Sequence, residues 1–100
     1  MQAERRTVLR LLVRNHPGVM SHLCGLFARR GFNVEGILCV PLDGGARSAV
    51  LLLVADDPRN AQIVAQLRKL EDVMDVHPDP DARASFDEVA RYVQPAGEPR

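Results

Sequence analysis

The sequence predicts an α+β domain of order β-α-β-β-α-β: a four-stranded antiparallel sheet with two helices on one face. Three observations predict it. Apolar runs of strand length fall at residues 8–14, 32–42, 47–54 and 72–77. Segments with apolar residues at helical spacing lie between the first and second runs, and between the third and fourth. Asp43-Gly44-Gly45 joins the middle pair and marks a hairpin turn. Parallel βαβ crossovers are right-handed, and that rule applied twice gives the split βαβ, ferredoxin-like arrangement. The face away from the helices is expected to be bare, with an edge strand open to a partner.

Each element has a local reason. Val8-Leu9-Arg10-Leu11-Leu12-Val13-Arg14 has mixed faces, as a central strand does. In the first helix Val19, Leu23, Leu26 and Phe27 recur at i, i+4, i+7 and i+8, and Met20 and Cys24 are expected to widen that buried stripe. Arg29 and Arg30 suit its negative end, and Gly31 its termination. In residues 32–42, Gly36 suggests a bulge or a close backbone contact. Pro41 lacks an NH, which puts this strand at an edge. Residues 47–54 are nearly all apolar and should be central. Asp57 then caps a second helix with Pro58 at its first position, and Ile63, Val64, Leu67 and Leu70 form its inward stripe. Residues 72–77 form a last short strand, stopped by Pro78 and Pro80.

The result is one domain over residues 1–78, polar and frayed over 1–6, and a distinct tail over 79–100. In the tail, Phe86, Val89, Ala90 and Val93 at i, i+3, i+4 and i+7 predict an amphipathic helix near residues 81–92. It either folds back on its own domain or docks a partner. A short helix after a Pro-containing linker is marginal alone, which favours docking.

Composition narrows the function. One hundred residues with 46% apolar content suit a small domain that gains stability by association. Lys and Arg number 13, as do Asp and Glu, so no long-range attraction draws the chain to nucleic acid or anionic lipid. No apolar run is long enough to span a membrane and no signal-peptide core follows Met1, so a cytoplasmic location is expected. Cys24 and Cys39 are then reduced thiols used for packing. With His16, His22 and His77 they lack the spacings of a metal site. Asp56-Asp57 and Glu71-Asp72 sit at element boundaries, where capping explains them better than acid–base catalysis. Base stacking on the sheet, as in RNA-binding domains of this order, needs aromatics that residues 50–54 lack. Small acyl-phosphate hydrolases of the same order use an Arg in the first strand–helix loop. Arg14 and Asn15 allow this, but Pro17 removes an amide from a short loop.

The stretch with the clearest binding chemistry is Asn15-His16-Pro17-Gly18-Val19-Met20. Pro17 fits the first helical position, which places Asn15 or His16 at or beside the N-cap. Gly18 lets another molecule approach the backbone. A helix start with free amides and a partial positive charge suits a carboxylate or phosphate. An ordinary capped turn after a strand uses the same residues.

Residues 13–20, then Cys24-Gly25-Leu26-Phe27-Ala28-Arg29-Arg30-Gly31-Phe32-Asn33-Val34-Glu35-Gly36-Ile37-Leu38-Cys39, resemble the small regulatory subunit of acetohydroxyacid synthase (acetolactate synthase), in the short form of bacterial isozyme I. Leu52-Leu53-Val54, Asp57 and Lys69-Leu70-Glu71-Asp72-Val73 extend the match over most of residues 7–77. The resemblance implies an ACT domain that binds free amino acids where two copies meet, hence a homodimer. It implies a regulatory rather than catalytic chain with no cofactor of its own. Its partner would be a catalytic large subunit carrying thiamine diphosphate, Mg and FAD, which it activates and subjects to feedback inhibition by valine. The effector's carboxylate would meet the junction at Asn15, His16, Pro17, Gly18, Val19 and Met20, and Asn33, Val34 and Ile37 of the neighbouring chain would close the pocket. A stand-alone amino-acid sensor is the alternative of a different class.

Overall fold

The computed structural model describes residues 5–97. Residues 1–4 and 98–100 lie outside it, and with them most of the frayed start and Pro99 of the tail. The chain forms β1 (Arg6–Arg14), α1 (Val19–Arg29), β2 (Val34–Leu42), β3 (Arg47–Ala55), α2 (Asn60–Leu67), β4 (Val73–Pro78) and α3 (Arg83–Tyr92). The sheet order is β2-β3-β1-β4, with every pairing antiparallel. This is the expected ferredoxin-like order, with the two most apolar strands in the middle.

Alternation along the strands builds the core. Leu9, Leu11 and Val13 of β1, Val50, Leu52 and Val54 of β3, and Val76 of β4 point to the helix layer. There they meet Val19, Leu23, Leu26 and Phe27 of α1 and Ile63, Val64 and Leu67 of α2. Phe27 is fully buried, and emptying such a site costs about 3–5 kcal/mol. Cys24 does not join this layer. It follows Leu23 by one residue, a rotation of about 100° that carries it off the stripe, and both Cys24 and Cys39 are exposed. The expectation that the thiols pack inside is therefore corrected.

The end of α1 is built by sequence. Gly31 adopts φ 73°, a left-handed conformation that suits a residue without Cβ. Its amide bonds Ala28 and the Phe32 amide bonds Phe27, the paired closure of a Schellman motif. Phe32 then stands edge-on to Phe27 with ring centroids 6.1 Å apart, and the Arg59 guanidinium lies 4.4 Å above its ring.

β2 is an edge strand, as Pro41 requires. Its register against β3 shifts between Val34 and Gly36, and the displaced Glu35 pairs with Arg6. The turn back to β3 runs through Asp43, Gly44 and Gly45, all at positive φ.

The second face of the sheet is not bare, contrary to expectation. After β4 the chain makes a 3₁₀ turn and folds back. The Asp79 amide bonds the Val8 carbonyl and Arg10 Nε donates to Asp79 Oδ2 at 2.6 Å. Phe86 then rests on Gly36, where a Cβ would come within 2.9 Å of the ring, and lines one cleft with Leu53. That cover buries Val8 and Ala82 completely or nearly so. α3 itself has no buried residue. Further along the same face Leu12, Ala49, Leu51 and Leu38 stay half-exposed and Val40 is exposed.

Candidate functional site

Pro17 and Gly18 shape the junction between β1 and α1 differently from the expected Pro-first helix. Pro-Gly takes the centre of a turn: the Val19 amide donates to the His16 carbonyl at 3.2 Å, and Gly18 sits at φ 87°, ψ −6°. Those angles belong to the third residue of a type II turn, where Gly is favoured after Pro. Helix α1 therefore begins at Val19, with Gly18 as the N-cap residue in place of Asn15 or His16. Glycine has no side chain to offer, and no side chain caps the helix. The amides of its first turn, Met20 and Ser21 among them, lack intrahelical acceptors. The Val19 amide, expected to be available, is taken by His16.

Asn15 is fixed by its neighbours. Its backbone amide bonds the Ala46 carbonyl at 3.1 Å, and its side-chain Nδ2 donates to the Gly45 carbonyl at 2.7 Å. The donor end of the amide thus ties the junction to the β2–β3 turn. His16 Nδ1 lies 3.4 Å from Asp72 Oδ2. A cleft of about 440 Å³ opens beside the helix start, between His16, Val19 and His22 on one side and Lys69, Glu71 and Asp72 on the other. Neither the turn at Gly45 nor the α2–β4 connection was singled out as part of the site from sequence. The signal for the second was present, because residues 69–73 belong to the stretch that carries the family resemblance.

Asn33, Val34 and Ile37 are not brought to this junction within one chain. Val34 begins β2 and packs against the core, while Ile37 is exposed at mid-strand. Asn15 sits at the other end, beside the β2–β3 turn. β2 is nine residues long, so roughly 25 Å of strand lies between its ends.

Among the described residues, no group of three or more His, Cys, Asp or Glu could hold a metal ion, and no helix is long and apolar enough to cross a membrane. A family model described as an AHAS small subunit-like ACT domain matches residues 9–75. This chain belongs to that family.

Relatives of the ACT-domain chain agree. The small subunit of acetolactate synthase isozyme 1 from Escherichia coli strain K12 is 52% identical over 87 residues, covering 87% of this chain and 91% of the relative. The isozyme 3 small subunit of the same organism is 38% identical over 72 residues, 71% of this chain and 44% of the relative. Among solved structures, the acetolactate synthase small subunit from Thermotoga maritima superposes with a TM-score of 0.68 at 38% identity. It is matched over 76% of this chain, which spans about half (48%) of that longer one. The ACT domain of GTP pyrophosphokinase from Chlorobium tepidum, matched over 77% of this chain and 100% of its own, gives 0.60 at 15% identity and shares the fold alone. These relatives set the chain among the regulatory small subunits of acetolactate synthase, apart from the acyl-phosphate hydrolases of similar order.

Proposed function

We propose that this ACT domain binds valine where two copies of the chain meet, and conveys its occupancy to a catalytic subunit in the cytoplasm. The observation that carries this reading is the uncapped start of α1. A free amino acid brings a carboxylate to amides that have no other acceptor, at the positive end of a helix. Asn15, already anchored through Nδ2, keeps its side-chain oxygen to accept from the ammonium group. A branched aliphatic side chain suits walls such as Val34 and Ile37.

Geometry supports the second copy. Pairing two β2 edges antiparallel reverses their direction, so the second copy's Asn33 and Val34 come beside the first copy's β2–β3 turn and Asn15. One chain alone holds these groups at opposite ends of a strand. The catalytic partner would carry thiamine diphosphate, Mg and FAD, and the chain would raise its activity.

Feedback then needs valine to bind one arrangement of the dimer, or of the complex, better than another. A coupling of about 1–3 kcal/mol is enough for a useful response. Valine titration of the reconstituted enzyme tests the reading. Asn15→Ala should weaken inhibition while leaving activation in place; unchanged inhibition removes this junction from the account. A pull-down that returns no thiamine-dependent partner would leave a stand-alone amino-acid sensor.

A further inference from the structure

We propose that α3 is a strap across the seam between two copies, the exposed Tyr92 and Val93 of each packing on the second copy's sheet over Val40, Ala49 and Leu12. This rests on the pairing along β2 proposed above and adds a contact that the pairing does not require. The first argument is direction. The tail leaves β4, bonds Val8 of β1 through Asp79, sets Phe86 on Gly36 of β2 in a cleft shared with Leu53 of β3, and brings Val89 and Ala90 to the same cleft beside Ile37 and Leu38. It thus crosses the sheet strand by strand toward β2, and β2 is the edge. Beyond it the helix has no strand of its own chain beneath it, and Tyr92 is 88% and Val93 63% exposed.

The second argument is register. The midpoint of β2, residues 34–42, is Leu38. Antiparallel pairing about that midpoint sets Gly36 of one copy opposite the second copy's Val40. Val40 lies in one row with Ala49 and Leu12, the part of the face that the chain's own tail leaves open. The helix that overhangs at Gly36 therefore points onto an uncovered apolar row.

Room and area agree. The two straps sit four residues apart along the strand, roughly 13 Å, and packed helices need about 8–10 Å between axes. Edge pairing of two short strands is mostly main-chain contact, whereas a stable interface buries about 1,200–2,000 Å². A helix that is amphipathic yet has no buried residue in its own chain supplies the missing apolar surface.

The test is the dimer dissociation constant of the full chain by analytical ultracentrifugation, with and without Tyr92→Ser and Val93→Ser. Both positions are exposed, so the double variant should keep the wild-type circular dichroism. Its dissociation constant should rise about tenfold or more, as two apolar side chains lose their cover. In a background with Cys24→Ala and Cys39→Ala, a Val93→Cys chain mixed with a differently tagged Val40→Cys chain should form a disulfide between the two. A dimer of unchanged affinity with no such crosslink overturns the strap and leaves the β2 pairing standing. A wild-type chain that stays monomeric at high concentration overturns the pairing and the strap with it.

Discussion

Helices α1 and α2 begin on related residues, His16-Pro17-Gly18 and Asp57-Pro58-Arg59, and present opposite surfaces. At α2 the chain ties up its own turn: the helix begins at Asn60 with Arg59 as the N-cap residue, so Asp57 and Pro58 precede it rather than capping and opening it as expected. The Arg59 amide donates to Asp57 Oδ1 at 2.7 Å, and the Arg59 guanidinium reaches the same carboxylate at 2.9 Å and 3.1 Å. Those bonds from Arg59, side chain first and amide second, hold the Asp57 carboxyl below its usual range. At α1 His16 stands where Asp57 does and Gly18 where Arg59 does, and Gly18 brings no side chain to the turn. A carboxylate of the chain itself holds the turn before α2; under the proposed function, a carboxylate from outside meets the start of α1. Both starts carry Pro; the difference lies in its two neighbours, Asp57 and Arg59 at one and His16 and Gly18 at the other.

Substitutions break that contrast in graded ways. Gly18→Val should act most strongly. A β-branched residue at φ 87° costs about 1–2 kcal/mol and distorts the turn that opens the site. Thermal unfolding should show the loss, and titration should show valine binding reduced below detection. Asn15→Ala comes next. It removes the bond to Gly45, worth about 1 kcal/mol, and valine affinity measured by calorimetry should fall about tenfold, the factor that 1.4 kcal/mol commands. Asp57→Ala sharpens the comparison from the other side: loss of the carboxylate that holds Arg59 in the turn before α2 should lower the melting temperature and leave valine affinity where it was.

The smallest effect concerns the tail. The hydrogen bond from Arg10 holds the Asp79 carboxyl below its usual range. A carboxyl depressed in the folded state adds stability above the ordinary carboxylate range, and loses it as pH falls through the folded value. Acidification through that region should therefore loosen the tail. Hydrogen exchange of the Asp79 amide, bonded to Val8, would report it. Arg10→Gln should flatten that response.

The strands, their order and the Schellman closure at Gly31 were legible because each rests on local pattern: alternation, Pro and Gly at fixed places, cations in a last turn. Gly36 was legible as a bulge or a close backbone contact, but the ring that makes the contact was not, because Phe86 is fifty residues away in sequence. The same long-range contact explains why the covered second face was missed. At the junction, Pro17 fits both a first helical position and the second place of a type II turn, and only the φ of Gly18 separates them. Cys24 shows how narrow a helical stripe is: one residue beyond Leu23 is enough to reach solvent. Asn33, Val34 and Ile37 came from the family resemblance. Their proposed link to Asn15 requires a second copy, and no pattern within a single chain carries a contact of that kind.

The most direct measurement is backbone amide NMR of the full chain titrated with valine. The account predicts the largest shifts at Met20 and Ser21 and, across the seam, at Asn33 and Val34, while Arg59, Asn60 and Ala61 stay in place. Saturation with valine that leaves Met20 and Ser21 unmoved would contradict it.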